Sequence, residues 1–302
     1  MPVSIFYHSD FLKHNTGKNH PENKKRLLAC ISALKKSSFS TSLIWKIPKA
    51  ATEKQIQWIH SINHINKIKN ICESGGGYLD PDTPISNLSY EIGLLSAGAW
   101  LNGIDEIINK NNYAFILSRP PGHHAESNKA MGFCLFSNAA LAATYALKKN
   151  KINKVAIFDW DVHHGNGTQE IVQNKKNIAY CSIHQFPFYP GTGTHLEKDI
   201  NNNIKNIPIP SNLSQIEYLK KFDHDVIPFL KNFNPDLLII SAGFDAHKND
   251  PLSNMNLDEN DFSYMIQQCK KIQTKIILGL EGGYDLLALK KCVIAVTKEL
   301  LV

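Results

Sequence analysis

Several common sequence signals are missing from this chain, and each absence excludes a class of protein. No run approaches the roughly 18 apolar residues of a spanning helix, so we expect no membrane segment. The N-terminus has no basic stretch followed by an apolar core, so we expect no signal peptide and a cytoplasmic location. The lysines are dispersed, which argues against nucleic-acid binding despite the net charge of +6. Without a linker or repeat, residues 1–302 are expected to form a single domain.

Paired cysteines and a nucleotide-binding loop are missing as well. The six cysteines are widely spaced and form no C-x-x-C pair. Most of them lie among apolar residues, which predicts buried thiols in a reducing compartment and argues against a disulfide framework or cysteine-bound zinc. The triglycine at residues 75–77 has no lysine and serine after it, so it is interpreted as a helix stop and not as a phosphate loop.

What the chain does contain is an alternation of strand-like apolar runs with segments of helical periodicity. Strands are predicted at Val3–Tyr7, Tyr113–Leu117, Ile178–His184, Asp236–Ser241 and Lys275–Leu280, with a central strand running from Ala156. Helices are predicted from Pro21, from the capping box at Thr52 through Cys72, over Tyr90–Ile108 and Asn138–Lys149, from Thr168, from Ser214 with a kink at Pro228, and over Leu289–Leu300. The alternation predicts an α/β fold with a single, mostly parallel sheet and helices on both faces.

Reactive side chains collect where the predicted strands end. Five strand ends carry polar or aromatic clusters: His123-His124, Asp161 with His163, Phe188-Tyr189, Asp245 and Tyr284. In parallel sheets, ligands bind beyond the carboxyl ends of the strands. The sequence therefore predicts one site, assembled from several strands at one edge of the sheet.

A metal is the first chemistry that these clusters suggest. Residues two apart in a strand share a face, so Asp159, Asp161 and His163 point to the same side. With Asp245, the pair Asp161 and His163 would give three ligands of mixed oxygen and nitrogen type. Three ligands leave one coordination position open, as a catalytic zinc requires. An ordinary turn aspartate after Gly243 is the alternative for Asp245.

Proton transfer is the second chemistry. His123 and His124 are candidates for general base and general acid, because imidazole titrates near physiological pH. Asp159 is placed to orient His123, and Asn166 to orient His124 without adding charge. Tyr284, in a Gly-Gly-Tyr turn, is a candidate donor to an oxyanion. The alternatives are one buried and one exposed structural histidine, and a tyrosine that merely packs on the surface.

Aromatic residues near these clusters suggest the shape of the substrate. Phe133, which follows Gly132, and Tyr189 are candidate walls of a narrow slot, although most aromatic residues are simply part of a core. A slot that leads to a metal suits a long, thin apolar chain ending in a carbonyl. Acylated lysine has that shape.

Taken together, the motifs resemble those of the histone deacetylase superfamily, which includes acetylpolyamine amidohydrolases and bacterial proteins of acetoin utilisation. The matching segments follow one another in the expected order over nearly the whole chain. They are RPPGHHA at 119–125, GFC at 132–134, DWDVHHGNGTQ at 159–169, YPGTG at 189–193, AGFD at 242–245 and EGGY at 281–284.

The resemblance implies an arginase-like α/β fold and a zinc-dependent deacetylase that hydrolyses linear amide C–N bonds. It implies that Asp161, His163 and Asp245 hold one catalytic Zn²⁺ or Fe²⁺, that His123 and His124 transfer protons, and that Tyr284 polarises the acyl carbonyl. It also implies a structural K⁺ near Asp159, Asp161, His163, Ser182 and Ile183. The expected substrates are acylated lysine side chains of proteins or small acetylated amines.

Two positions at which branches of the superfamily differ bear on the choice of substrate. Asn166 is similar to the class II branch, whereas class I members carry aspartate. Leu252 occupies the position at which the polyamine-selective eukaryotic deacetylase has a glutamate gatekeeper, seven residues after the last metal aspartate. A neutral gate favours acyl-lysine. Asp80 and Asp82 keep the polyamine alternative open, because bacterial polyamine hydrolases use other acidic residues.

Two further classes fit less well. A ureohydrolase of the same fold would need an Asp-x-His-x-Asp run for two manganese ions, and the run from Asp161 to Gly165 lacks the third carboxylate. A catalytically silent binding module would be expected to have lost a ligand, a histidine or the tyrosine, and all are present. The favoured hypothesis is an active metal-dependent deacetylase.

Overall fold

The computed structural model describes residues 2–110, 112–197 and 199–302. Within these residues, eight strands form one parallel sheet, and two short strands form a separate antiparallel pair. The strands are β1 Val3–Phe6, β2 Leu43–Lys46, β3 Gly76–Tyr78, β4 Pro84–Ser86, β5 Tyr113–Ile116, β6 Val155–Asp159, β7 Ile178–Gln185, β8 Ile204–Ile209, β9 Leu237–Ala242 and β10 Ile276–Leu280. The short pair is β3 with β4.

The α-helices connect these strands. They are α1 Lys24–Lys35, α2 Glu53–Ile56, α3 Ile62–Glu73, α4 Ser89–Lys110, α5 Asn138–Ala146, α6 Asn166–Val172, α7 Gln215–Lys221, α8 Ile227–Phe233, α9 Glu259–Lys270 and α10 Leu286–Leu301. A π-helical segment, Phe222–Val226, joins α7 to α8. None of the helices described here is long and apolar enough to cross a membrane.

The order of strands in the large sheet is β2-β1-β5-β10-β9-β6-β7-β8. All neighbouring pairs are parallel, so the carboxyl ends of the strands lie along one edge. Strands β5, β10, β9, β6 and β7 are consecutive neighbours, and they are the strands that precede the five polar or aromatic clusters. The predicted α/β architecture is confirmed, and the sheet places these clusters side by side.

Helices cover the sheet on both faces. Every residue of β1, β5, β6, β7, β9 and β10 is buried, which requires cover on each side. Helix α10 packs against both α1 and α9, and α4 packs against α5. The predicted stripe of α10, comprising Leu289, Val293, Val296 and Leu300, is buried. All six cysteines are buried too, as predicted.

Helix boundaries differ from the prediction in three places. The first helix begins at Lys24 and not at Pro21, because the Asn23 side chain accepts a hydrogen bond from Lys25 N–H and caps it. The capping box at Thr52 is present but opens only the single turn of α2. Helix α3 has its own cap, in which Ser61 accepts from His64 N–H.

The predicted kink at Pro228 takes the form of the π-helical segment that immediately precedes α8. Proline lacks an N–H, and its ring crowds the carbonyl four residues earlier, here that of His224. The wider π turn relieves that crowding. Strands β2, β3, β4 and β8 and helix α9 were not predicted. Strands β2 and β8 are of mixed polarity, β3 and β4 have three residues each, and α9 is largely polar.

Candidate active site

The predicted site residues lie together at the carboxyl edge of the sheet. Asp161 and His163 follow β6, and Asp245 follows β9, its neighbour in the sheet. His123 and His124 lie in the loop after β5, while Tyr284 lies after β10. Because β10 is between β5 and β9, Tyr284 enters the site between the histidine pair and the carboxylates.

Asp161, His163 and Asp245 form a compact cluster. Each offers one ligand atom, and these atoms all lie within 4.8 Å of one another. Nδ1 of His163 is 3.1 Å from Oδ1 of Asp161 and 3.2 Å from Oδ2 of Asp245. Backbone N–H groups hold the carboxylates in place, since Gly282 N–H donates to Oδ2 of Asp161 (2.8 Å) and Val162 N–H donates to Oδ1 of Asp245 (2.9 Å).

The chemistry of this cluster fits a divalent cation. Asp161 and Asp245 are both buried, and among the described residues Oδ2 of Asp245 has no partner that satisfies hydrogen-bond geometry. Burial and the nearby Asp161 carboxylate raise the pKa of Asp245. A glycine makes room for the pair, since a Cβ at Gly282 would lie 2.1 Å from Oδ2 of Asp245 and 2.6 Å from Oδ2 of Asp161. Two buried carboxylates and one imidazole are a donor set that zinc accepts.

The adjacent histidines have different partners. Nδ1 of His123 lies 3.1 Å from Oδ2 of Asp159, whereas Nδ1 of His124 lies 2.8 Å from Oδ1 of Asn166. The two rings are 4.0 Å apart, centroid to centroid. Asn166 is itself held, because its amide donates to Oε1 of Glu126 (2.7 Å). The pair therefore presents one carboxylate-backed and one amide-backed imidazole.

The surroundings of the two imidazoles shift their pKa values in opposite directions. Burial lowers the pKa of His123, but the carboxylates of Asp161 and Asp159 outweigh it and raise the pKa to about 10. Burial, together with the charges of His123 and His163, holds the pKa of His124 well below its usual range. Both rings are buried, so these neighbouring charges act on them with little screening by water.

Tyr284 forms another wall of the site. Its ring lies edge-on to Phe133, with centroids 6.1 Å apart, and the Arg26 guanidinium lies 4.9 Å from the ring centroid. Burial raises the pKa of Tyr284 well above its ordinary value, against the opposing charge of Arg26. The hydroxyl is therefore protonated at neutral pH and available as a donor.

A cavity of about 490 Å³ connects these groups to the surface. Its lining includes the four predicted tunnel residues Gly132, Phe133, Tyr189 and Leu252. Phe133 adopts a left-handed backbone (φ 70°), and a Cβ at Gly132 would lie 2.4 Å from the His124 ring, so this turn requires glycine. Asp82 also lines the cavity, while Asp80 does not.

The residues expected to surround potassium lie on, or directly after, two neighbouring strands. Asp159 on β6 is directly opposite Ser182 on β7, and Ile183 is the next residue along β7. Tyr180 donates its hydroxyl to Oδ2 of Asp159 (3.1 Å). The potassium assignment stays a prediction.

Two buried carboxylates were missed by sequence reasoning. Glu281 accepts from the backbone N–H groups of Gly122 (2.7 Å) and His123 (3.2 Å) and so anchors the histidine loop. Asp250 accepts from Tyr284 N–H. Burial is the largest cause of the raised pKa of these two carboxyl groups, which is about 7 for both Glu281 and Asp250. Glu281 stands inside the EGGY motif and was a visible candidate, whereas nothing in the sequence around Asp250 suggested a role.

Comparisons with known proteins agree with this geometry. A family model described as histone deacetylase domain matches residues 20–300. An uncharacterised protein of Synechocystis is 45% identical over 302 residues, covering 99% of each chain. A histone deacetylase-like amidohydrolase of Pseudomonas aeruginosa is 33% identical, covering 93% of this chain and 76% of the relative. The crystal structure of the HDA15 HD domain superposes with a TM-score of 0.91 at 32% identity, covering 99% of this chain and 89% of that one.

Proposed function

Because the chain belongs to the histone deacetylase family, we propose that it is a metal-dependent deacetylase that removes acetyl or related acyl groups from lysine side chains. One observation carries the proposal. His163 of the Asp161, His163 and Asp245 cluster lines one cavity together with the histidine pair and Tyr284. We propose further that residues 1–302 act as one catalytic domain.

The proposed chemistry is addition of water to the acyl carbon, followed by cleavage of the C–N bond to give a carboxylate and a free amine. A zinc or ferrous ion held by Asp161, His163 and Asp245 would acidify its water and polarise the acyl carbonyl. Tyr284 donates its hydroxyl proton in a hydrogen bond to the carbonyl oxygen as negative charge develops there.

The histidine pair carries the protons in this scheme. One imidazole takes the proton of the attacking water, and an imidazolium returns a proton to the departing amine nitrogen. Asp159 fixes the ring of His123 and favours its protonated form, while Asn166 fixes the ring of His124 without favouring charge. A structural K⁺ near Asp159, Asp161, His163, Ser182 and Ile183 would stabilise the strand ends from which these groups project.

The cavity walls support acyl-lysine as the substrate. Phe133 and Tyr189 offer flat apolar surface to a methylene chain, and the gate position is the neutral Leu252. Phe188 stacks on the ring of His163, with centroids 5.3 Å apart. It therefore narrows the cavity next to the cluster of ligand residues. A thin chain that ends in an amide fits such a passage.

An acetylpolyamine amidohydrolase is the second candidate, and Asp82 favours it. Its carboxylate lines the cavity, where it would attract a substrate that carries further ammonium groups.

Side-by-side hydrolysis decides between the two substrates. Zinc-loaded protein is given an acetyl-lysine peptide and, separately, N-acetylated spermidine or putrescine, with a hydroxamate as the inhibition control. A higher kcat/KM for the peptide supports the first proposal, and a higher value for the polyamine supports the second. Failure to hydrolyse either substrate, with zinc shown to be bound, would contradict removal of acetyl groups and would point to a longer acyl group or a different amide.

A further inference from the structure

Asp250 connects two loops of the active site. It lies in the loop between β9 and α9 and is 6% exposed. Its Oδ2 accepts hydrogen bonds from the backbone N–H groups of Tyr284 (2.6 Å) and Asp285 (3.3 Å), which follow β10. Its Oδ1 accepts from Leu252 N–H (3.0 Å). One buried carboxylate thus holds the catalytic tyrosine's backbone and the gate residue's backbone together.

The peptide unit before Tyr284 is held at both ends. Its carbonyl oxygen, that of Gly283, accepts a hydrogen bond from Nε of Arg26 (2.7 Å), and its N–H donates to Asp250. A peptide unit is planar, so fixing both groups fixes the orientation of the plane. Bonds from N–H to a carboxylate are also stronger than neutral ones.

The chain after this peptide has little freedom. Asp285 caps α10, since its Oδ1 accepts from Ala288 N–H (2.7 Å). Gly283 has a φ of +119°, a conformation that other residues rarely adopt. The direction of the Tyr284 side chain is therefore set by the hydrogen bonds to its own peptide unit as well as by packing.

We infer that Asp250 is a positioning residue that orients the Tyr284 hydroxyl towards the acyl oxygen. Because Asp250 also holds the Leu252 backbone, it links the orientation of Tyr284 to the position of Leu252 in the cavity wall. The inference rests on the proposed deacetylase function. Asp250 does not line the cavity, so it acts through Tyr284.

A double-mutant cycle tests the inference. Asp250→Asn keeps the size of the side chain but loses one of its two acceptor oxygens, so one of the loops is released. We expect kcat for an acetyl-lysine peptide to fall by about 10- to 100-fold, because a small misplacement of a catalytic group costs that much. In a Tyr284→Phe background, the same substitution should change kcat by less than about twofold, since no hydroxyl remains to be aimed.

Asp236→Ala is the control, because both hydrogen bonds of Asp236 go to one oxygen, Oδ2, which asparagine would keep. Asp236 also accepts from two backbone N–H groups, those of Asn153 (2.7 Å) and Lys154 (3.0 Å), at the opposite edge of the sheet. We expect this variant to lower stability and to leave kcat unchanged. Asp250→Ser provides a second variant at the site if the asparagine variant does not fold.

Backbone amide exchange gives a readout that needs no activity. In the metal-free protein, Asp250→Asn should speed deuterium exchange at residues 252 or 284–285, and Asp236→Ala should instead speed it at 153–154. Unchanged exchange at 252 and 284–285, or an equal loss of kcat with and without the Tyr284 hydroxyl, would overturn the inference. If wild-type protein hydrolyses neither substrate, the proposed removal of acetyl groups fails while the exchange result still decides the role of Asp250.

Discussion

His123 and His124 show how neighbouring side chains set the pKa of an imidazole. The two residues are adjacent in the chain and equally buried, yet one faces the Asp159 carboxylate and the other the Asn166 amide. A carboxylate favours the charged imidazole, whereas an amide can orient an imidazole without favouring charge. These partners act together with the Asp161 carboxylate, which raises the pKa of His123, and with burial and the charge of His123, which lower the pKa of His124.

Tyr284→Phe separates metal binding from turnover. The tyrosine is not part of the ligand cluster, so we expect the variant to retain zinc. Loss of one donor to a developing oxyanion should lower kcat by about 10²- to 10³-fold. Zinc content and kcat measured on the same preparation check this, and a nearly normal rate would contradict the proposed role of the hydroxyl.

Asp161→Ala should abolish metal retention. The substitution removes one of the three proposed side-chain ligands, and two ligands hold a metal ion much more weakly than three. Metal content after dialysis is the measurement. Asp82→Ala is the control, because Asp82 lines the same cavity but is not part of the ligand cluster and should leave zinc bound. A full zinc content in the Asp161 variant would refute the ligand assignment.

Residues of this kind differ in how far a sequence can reveal them. The strand pattern predicted Asp159 at the end of β6, but Asp161 and His163 lie in the turn after the strand, where the two-residue period no longer applies. Asp250 and Glu281 contact backbone N–H groups of distant segments. A hydrogen bond to backbone is independent of the partner's side chain, so it leaves no pattern in the partner segment. Only Glu281, inside the EGGY motif, stood in a stretch that drew attention.

Strand β10 and helix α4 are in such close contact that a single methyl group would separate them. Gly279 on β10 faces Trp100 on α4, and a Cβ at Gly279 would lie 1.8 Å from the indole ring. Trp100 is fully buried, so the ring has no free space to move into.

Gly279→Ala should destabilise the protein by about 2 kcal/mol or more through overpacking. Gly77→Ala, in the short pair β3 and β4, is the control, because its Cβ would meet only the Ile71 side chain at 3.1 Å. Urea unfolding of the two variants checks the difference. Equal midpoints would mean that α4 shifts to accommodate the methyl group.

Elements with a strong periodic pattern were predictable, and those fixed by tertiary contacts were not. The apolar runs of β5, β6, β7, β9 and β10 indicated strands within a residue or two of their ends. Edge strands β2 and β8 have only one strand neighbour and mixed burial, so their sequences carry a weak signal. Helix starts depended on caps such as Asn23, where several polar residues in a row were equally plausible.

At the scale of the whole molecule, Glu22 joins the N-terminal segment to the core. Its side chain is fully buried and bonds to two arginines, Arg26 on α1 and Arg119 after β5. Arg119 also donates to the carbonyl groups of Phe11 (3.3 Å) and His14 (3.2 Å). These bonds tie segments about 100 residues apart in sequence to one buried carboxylate.

Acid should weaken this network. Burial opposes the charge of Glu22, but Arg119 and Arg26 outweigh it and lower its pKa from 4.5 to about 2. A lowered pKa in the folded state stabilises the protein above the unfolded pKa of 4.5, and this stabilisation is lost as the pH falls towards 2. Between about pH 7 and pH 3, Glu22 should lose about 2 kcal/mol of its contribution to the free energy of unfolding.

Glu22→Gln isolates that contribution, because the other buried carboxylates are common to both proteins. At neutral pH the variant should be less stable by about 3–5 kcal/mol, since Arg119 and Arg26 lose their charged partner. The difference in free energy of unfolding between wild type and variant should shrink as the pH is lowered. A difference that stays constant with pH would show that Glu22 titrates normally in the folded protein.

The position of β10 in the sheet has a consequence for synthesis. Strand β10 lies between β5 and β9, yet it follows both along the chain. A nascent chain that has emerged only through β9 therefore holds two separate groups of strands, β2-β1-β5 and β9-β6-β7-β8. Asp161, His163 and Asp245 belong to the second group, while His123 and His124 belong to the first. Translation must reach β10 before the hydrogen bonds between strands can join the two groups into one sheet.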